Sequence, residues 1–391
     1  MSADRPQFPL VDLHFVADTH NEWVALTMRV LSPGPAEAAL RAVFSDPDTD
    51  VLATIAPLDC VLLLDTSAVL SPALLDKLPA NRVVLAIDAA ALGGADGETE
   101  RARLKMLHAI GYRIMLDGAV PAGVSPPSTI RSVSLDCSAS APEAGSLSPL
   151  FAPHLARFVG TGLRQVACAA AGFTWFSGDY PMHPVPSDEP DDGTSRRRLL
   201  ALLGLLARDA DTSELEALLK QDPALCYHLL KLVNSAAFSL AKPITSFSQA
   251  IAILGRRQMQ RWLQLLLYAR TDPEGLPNLL LPMAAQRGAQ LEILCKNAGG
   301  DRDAQDIAFM TGVFSLLDCL FALPMAEVVR TLSLPDDVCE ALLRRAGRLG
   351  RLLHFVEITP TSLETTAIGP DEWWRSQLHA YHWAIQVGRN V

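Results

Sequence analysis

Residue types that bind metals or act as nucleophiles are scattered along this chain. Its seven cysteines form no Cys-x-x-Cys pair, and such an odd, dispersed set predicts reduced thiols rather than a zinc site or a disulfide framework. His379 and His382 stand three residues apart and could share one helix face, which is compatible with a metal. We expect surface or helix-capping roles for both histidines, so the sequence predicts no metal centre and no bound cofactor.

Composition limits the classes of protein to which the chain could belong. With 391 residues, of which 49% are hydrophobic and 19% charged, it should form two or three globular domains rather than a disordered chain. The net charge of -10 argues against a general nucleic-acid binder, because phosphate contacts need surplus Lys and Arg. The longest apolar run, LLALLGLLA from Leu199, is far shorter than the ~20 residues of a membrane span, and the N-terminus lacks the apolar core of a signal peptide. We therefore expect a cytoplasmic protein without a membrane segment.

The first half alternates β-rich runs with helical stretches. The runs are continuously apolar, as in strands buried on both faces of a parallel sheet. Helical segments such as ETERARLKMLHAIG, which Gly111 should terminate, lie between several of them. Repeated strand–helix units predict a (β/α) barrel, shortened because such barrels usually have about 250 residues. The candidate strands begin at Leu10, Trp23, Cys60, Arg82, Tyr112, Arg131, Arg164 and Phe173.

A proline-rich acidic stretch, YPMHPVPSDEPDDGTS, then interrupts the pattern and predicts a linker. After it almost everything is typical of helix. Ser213 with Glu216 and Ser246 with Gln249 form two capping boxes, and apolar residues recur at helical spacing. The predicted organisation is a barrel over residues 1–182, a linker over 183–195 and an all-α bundle over 196–391.

The second half resembles the HDOD domain of bacterial signalling proteins. The segments DPALCYHLLKLVNSAAFSL and PITSFSQAIAILGRRQMQRWL carry the resemblance, in the order and spacing of that family. The resemblance implies an HD-like helical bundle without the catalytic residues of the HD phosphohydrolases. In agreement, the sequence contains no His-Asp dipeptide, and Leu317-Asp318 stands where the hydrolases carry theirs.

Two groups of residues in this half are candidates for an interaction surface. Asn234 and Ser235 are poor helix formers in the middle of a predicted helix; they mark either a binding surface or hydrogen bonds inside the bundle. Arg256, Arg257 and Arg261 form a small basic patch beside a tryptophan. A solvated helix face is the simplest interpretation of this patch, and a nucleic-acid contact is the alternative.

The first half resembles the EAL domain, a barrel that hydrolyses cyclic di-GMP. The segments that carry this resemblance are WVALTMR, GYRIMLDG and GFTWFSGDYPMHP. The family's chemistry needs two divalent cations held by carboxylates and an amide, with a lysine and a glutamate beside the attacking water. In this sequence those positions fall at Ala25, at Leu64 or Asp65, and at Ala86, Asp117, Gly118, Ser134 and Ser177.

Only Asp117 clearly keeps its carboxylate, with Asp65 and Asp88 nearby but displaced. One carboxylate cannot assemble a two-metal centre, since each Mg²⁺ takes several oxygen ligands. We therefore expect Asp117 to be vestigial and to bind backbone or cap a turn.

These losses predict a signalling adaptor that is not an enzyme, has no catalytic residues and acts through contacts with other signalling proteins in a cyclic di-GMP pathway. One alternative is a receptor that binds cyclic di-GMP without cleaving it. An apparent lack of basic residues at the strand ends disfavours this alternative, because phosphates need Arg or helix N-termini. A residual cyclic di-GMP phosphodiesterase is the third hypothesis.

Overall fold

The structure, a computed structural model, describes residues 8–32, 34–185, 255–269, 276–332, 334–358 and 368–389, with a few isolated residues between 186 and 254. The chain divides into two compact units. The first contains Met1–Val185 and Pro360–Leu378, and the second contains Pro186–Thr359 and His379–Val391. The predicted boundary in 183–195 stays a prediction; residues 360–378 group with the barrel, although the sequence predicts them as part of the helical domain.

The first unit is built around eight strands and the helices that follow some of them. Asp50 and Ser71 each accept an N-terminal backbone N–H through their side chains, which is why two short helices begin where they do. The elements are β1 (Leu10–Asp18), β2 (Trp23–Leu31), α1 (Ala36–Phe44), α2 (Val51–Thr54), β3 (Asp59–Leu64), α3 (Pro72–Leu75), β4 (Val83–Asp88), α4 (Gly97–Ala109), β5 (Arg113–Asp117), β6 (Ser132–Asp136), β7 (Leu155–Arg157), α5 (Gly162–Ala171) and β8 (Trp175–Phe176).

The eight strands close into a barrel in sequence order. Neighbouring strands from β2 to β8 are parallel, whereas β1 is antiparallel to both β2 and β8. β1 and β2 are antiparallel because the connection between Asp18 and Trp23 is short, whereas a parallel pair needs a crossover of a dozen or more residues. The predicted barrel is confirmed, and the prediction of a wholly parallel sheet is wrong at β1.

One predicted strand is a helix, and one strand was not predicted. The run that begins at Arg164 lies in α5, where Thr161 accepts the Arg164 N–H and Gly172 ends the helix with a φ of 112°. These two caps outweigh the β-like composition of the run. The seventh strand is instead Leu155–Arg157, which is too short to show a hydrophobic pattern.

The barrel lacks some of the helices that usually surround such a sheet. In the described residues 118–131, between β5 and β6, there is no helix, and between β6 and β7 there is one 3₁₀ turn, Pro149–Phe151. The imidazole of the buried His154 fixes this second connection, since Nδ1 accepts from the Val133 N–H at 3.2 Å and Nε2 lies 2.9 Å from the Ser148 carbonyl. Loops take the place of helices on this side of the barrel.

The described residues of the second unit are helical. Two of the described helices approach each other closely: Gly312 lies against the backbone of Arg287 and Gly288. The helices within the described residues are α6 (Arg256–Leu266), α7 (Leu280–Asn297), α8 (Arg302–Phe314), α9 (Leu317–Phe321), α10 (Met325–Arg330), α11 (Asp336–Arg344), α12 (Gly347–Glu357) and α13 (Pro370–Gly388), whose first residues belong to the barrel unit.

Two further observations concern these helices. Arg375, near the start of α13, lies 3.1 Å from Asp46 and 3.3 Å from Asp48 after α1, which holds this segment to the barrel unit. The stretch Arg302–Phe321 is long and apolar enough by composition to cross a membrane; its most apolar 18 residues have a mean hydropathy of 1.3, and 56% of them are buried inside the protein. The predicted cytoplasmic location stays a prediction.

Candidate functional site

The interior of the barrel is apolar in the half nearer the amino ends of the parallel strands. Side chains alternate inward and outward along each strand, so every second residue of a strand faces the interior of the barrel. The inward apolar cluster consists of Val16, Ala25, Val61, Leu63, Val84, Ala86, Met115 and Leu155. Ala25 and Ala86, two of the positions compared with the EAL family, are therefore buried packing residues.

The same alternation brings polar residues to the carboxyl ends of the strands. Two residues beyond the apolar layer come Thr27 on β2, Asp65 after β3, Asp88 on β4, Asp117 on β5 and Arg157 on β7. Arg29 follows Thr27 at the next position of the same parity on β2. In barrels of this kind the carboxyl ends of the strands form the face at which ligands bind. We call this polar end of the barrel the mouth.

Asp117, at the carboxyl end of β5, is held by two arginines of the mouth. Arg157 Nη2 donates to Asp117 Oδ1 at 2.7 Å, and Arg29 Nη2 lies 3.6 Å from Asp117 Oδ2. The Asp117 and Arg157 side chains are only 8% and 12% exposed. Arg157 Nε also donates to Ser134 Oγ at 3.0 Å, so its guanidinium is oriented from two sides. Residues of four strands, β2, β5, β6 and β7, thus form one cluster in which Asp117 and Arg157 are buried.

The other strand-end carboxylates are turned to local partners. Asp88 accepts the Ala90 N–H at 2.8 Å and caps a short 3₁₀ helix. Asp136 accepts the Ser138 N–H at 2.9 Å. Burial alone would raise the pKa of Asp136, but the hydrogen bonds from Ser138 and the charge of Arg157 outweigh it and lower the pKa below its ordinary value. Asp65 is different, because its side chain is 84% exposed and its contact is Arg29 Nη1 at 3.3 Å.

Two sequence interpretations are corrected here. Asp117 neither caps a turn nor binds backbone in these contacts; it forms ion pairs with Arg157 and Arg29. The mouth also does not lack basic residues, since both arginines stand at strand ends. Arg29 belongs to the quoted WVALTMR segment, in which only Ala25 was considered. Arg157 was missed because its strand was not predicted.

The remaining compared positions have structural roles. Ser134 is buried and accepts from Arg157, and its carbonyl accepts the Gly118 N–H at 2.8 Å. Gly118 has a φ of 83°, which favours glycine at the turn that leaves β5. Ser177 is buried, and its N–H donates to the Ala156 carbonyl at 2.9 Å.

The mouth does not fit the divalent metal ions that the EAL resemblance implies. Among the residues that the structure describes, no three His, Cys, Asp or Glu side chains are grouped so that they could hold a metal ion. Asp117, the one carboxylate retained at a compared position, has both oxygens beside guanidinium groups instead.

In the helical unit, two of the candidate surface arginines take part in ion pairs. Arg257 Nη2 lies 2.6 Å from Asp303, and Arg261 Nη2 lies 2.6 Å from Glu292 and 2.7 Å from Asp306. Burial acts to lower the pKa of Arg261, but its hydrogen bonds to Asp306 and Glu292, and the negative charges of these two carboxylates, raise the pKa above its usual value.

These contacts favour a structural role for Arg257 and Arg261 over a nucleic-acid surface. Arg256 is the first residue of α6. Asn234 and Ser235 lie outside the described residues, so that part of the proposed surface stays a prediction.

Comparison with known proteins gives a family for part of the chain. The family model of the HDOD domain matches residues 196–314. The HDOD domain predicted for the second half is thereby confirmed over these residues, and the EAL resemblance of the first half stays a prediction.

Two curated proteins and one solved structure illustrate the similarity. Cyclic di-GMP phosphodiesterase CdgJ of Vibrio cholerae is 29% identical over 188 residues, which are 48% of this chain and 43% of that protein. Uncharacterized protein YuxH of Bacillus subtilis is 25% identical over 54% of each chain. The structure is a calcium and cyclic di-GMP complex of Klebsiella pneumoniae BlrP1, with 14% identity and a TM-score of 0.33 over 46% of this chain and 56% of that one. The chain thus spans about half the length of the curated relatives that it matches.

The prediction that this chain is not an enzyme is wrong by this comparison. It is contradicted by a 29% identical relative that bears the name of a cyclic di-GMP phosphodiesterase. The prediction rested on the loss of the metal-ligand positions of the EAL family. The loss of this one set of residues does not exclude activity that depends on other residues of the chain.

Proposed function

We propose that this chain works in cyclic di-GMP signalling and that the mouth of its barrel binds the dinucleotide. The observation that carries the proposal is the pair of guanidinium groups, Arg29 and Arg157, beside the buried carboxylate of Asp117. Guanidinium groups bind phosphate oxygens through paired, charge-assisted N–H donors. The choice of a cyclic dinucleotide is supported by the name of the Vibrio cholerae relative.

Arg29 is the arginine that can change its partner. Its side chain is 35% exposed, and its contact with Asp65 is made at the surface. Exposed ion pairs contribute only about 0–1 kcal/mol, so a phosphate can replace Asp65 at little cost. Arg157 is fixed by Asp117 and Ser134 and supplies an oriented second charge.

Replacing Arg29 with methionine is therefore expected to weaken cyclic di-GMP binding about 10- to 100-fold, because a hydrogen bond to a charged group contributes about 1.5–3 kcal/mol. Isothermal titration calorimetry of the full chain measures this. Arg113→Met is the matched control, because Arg113 forms a similar ion pair with Asp59, 2.7 Å long, at the amino ends of β5 and β3. The control should bind as the wild type does. Absence of heat with the wild type at high micromolar ligand would contradict the proposal.

The same samples decide whether the bound dinucleotide is cleaved. Each is incubated with cyclic di-GMP and Mg²⁺ or Mn²⁺, and the linear product is sought by chromatography. Product from the wild type that is lost in Arg29→Met would assign phosphodiesterase activity to the mouth. Product that persists in Arg29→Met would place the reaction elsewhere in the chain.

We also propose a second function, transmission of the signal through contacts with other signalling proteins. The observation that favours it is an apolar patch on α5, where Leu163 and Val166 stand three residues apart and are both exposed. Contiguous exposed apolar surface is typical of protein-binding sites.

The expected result is that the full chain, tagged and used as bait in extract of its source bacterium, captures a signalling protein. Leu163→Ser/Val166→Ser should lose that partner. Met106→Ser, which changes an exposed apolar residue on a different helix, should retain it. Equal capture by all three proteins would exclude α5 as the contact surface.

A further inference from the structure

Phe158 combines a strained backbone conformation with an exposed aromatic side chain. It is one of the few non-glycine residues with a positive φ, 55°, in the described part of the chain. A side chain strains the backbone in this region, and a bulky aromatic residue is rare there. The residue nevertheless remains 46% exposed, so it does not gain the burial that usually accompanies an aromatic side chain.

The surrounding backbone holds Phe158 in this conformation. The Val159 N–H donates to the Ser177 carbonyl, and the Tyr180 N–H donates to the Val159 carbonyl, both at 2.9 Å. Gly178 packs so closely that a Cβ there would lie 2.4 Å from Val159 N. Backbone strain that is fixed by its surroundings occurs preferentially at ligand-binding sites.

The ring belongs to the mouth. Phe158 directly follows Arg157, whose guanidinium carbon lies 5.2 Å from the ring centroid. The imidazole of His14, on β1, lies edge-on to the same ring, with 6.1 Å between the ring centroids and an interplanar angle of 80°. The exposed aromatic surface thus adjoins the guanidinium that we assign to phosphate binding.

We propose that a purine base of the ligand stacks on Phe158 while Arg157 and Arg29 hold its phosphates. This inference rests on the proposed function. Every nucleobase has a flat π face, and stacking on an aromatic side chain is a general means of holding one. The arginine beside Phe158 places a phosphate and a base of the same ligand next to each other, which is the arrangement within a nucleotide.

Two probes separate stacking from phosphate binding: cyclic di-GMP, which has bases, and inorganic pyrophosphate, which has none. Phe158→Leu is expected to weaken cyclic di-GMP binding roughly 10- to 100-fold and to leave pyrophosphate binding unchanged, since one stacked base is lost. Phe158→Tyr, which keeps the ring, should bind both as the wild type does. Arg29→Met should weaken both. Isothermal titration of the full chain gives all of these affinities.

Phe158→Gly tests the strain argument independently. Glycine adopts a positive φ without strain, so this variant should unfold at the same urea concentration as the wild type or at a higher one while losing affinity for cyclic di-GMP. A clear loss of stability would show that Phe158 is a packing residue.

The outcomes distinguish the two proposals. If the wild type binds neither probe, the proposed function fails and the inference fails with it. If Arg29→Met loses affinity while Phe158→Leu binds cyclic di-GMP as the wild type does, the proposed function stands and stacking on Phe158 is excluded. If Phe158→Leu weakens both probes equally, Phe158 acts by positioning Arg157, and the stacking proposal is overturned.

Discussion

Replacing Arg157 with methionine is expected to destabilise the barrel by about 3 kcal/mol, since breaking a buried ion pair on one side leaves an uncompensated charge. Asp117 would keep only the longer contact to Arg29, 3.6 Å, and its carboxylate is almost fully buried. Ser134 would lose its donor as well. Urea unfolding followed by far-UV circular dichroism measures the change in the free energy of unfolding.

Two variants control this experiment. Arg157→Met/Asp117→Asn removes both charges and should recover most of the lost stability, because the cost comes from the stranded carboxylate. Arg113→Met breaks an equally short ion pair whose members are more exposed, and should cost less than about 1 kcal/mol. Equal losses for Arg157→Met and Arg113→Met would show that the Asp117 cluster is open to solvent.

Replacing Gly312 with alanine is expected to destabilise the helical unit by about 2 kcal/mol. A Cβ at this position would lie 2.7 Å from the carbonyl carbon and oxygen of Arg287 and from the Cα of Gly288. Backbone atoms cannot rotate away, so α7 and α8 must separate, and overpacking of this kind costs typically 1–3 kcal/mol. The helix propensity of alanine, about 1 kcal/mol better than glycine, offsets only part of this.

Gly160→Ala provides the matched comparison, because nothing lies within 4 Å of its added Cβ. Its free energy of unfolding should stay within about 0.5 kcal/mol of the wild type, as for an ordinary surface substitution. A Gly312→Ala protein that is more stable than the wild type in urea would refute the close helix contact.

Much of the barrel was predictable because hydrophobic runs mark buried strands. Seven of the candidate strands coincide with strands of the closed barrel. The failure at Arg164 and the missed strand at Leu155–Arg157 share a physical cause. Composition favours a strand over 164–169, but the caps at Thr161 and Gly172 decide for a helix, and capping depends on backbone geometry rather than on apolar pattern.

The candidate site was less predictable, because its contacts join distant segments. Arg157 reaches Asp117 across 40 residues, and each forms its pair only after the barrel closes. Lost carboxylates are visible in the sequence at the positions that match the EAL family. The pairing of Arg29 and Arg157 with Asp117 is not visible there, because it depends on where the strands end. Phe158 gave no sequence signal either, since its unusual φ is imposed by Ser177, Gly178 and Tyr180 from another part of the chain.

The most direct test of the central proposal follows the Nε–H resonances of Arg29 and Arg157 by NMR while cyclic di-GMP is added to the full chain. Arg29→Lys and Arg157→Lys assign the two signals, and Arg113, at the opposite end of the barrel, serves as the internal reference. We predict that the Arg29 and Arg157 signals move in proportion to bound ligand while the Arg113 signal stays in place. If the protein is saturated and neither the Arg29 nor the Arg157 signal moves, or if only signals of arginines in the helical unit move, the proposal that the mouth binds cyclic di-GMP is contradicted.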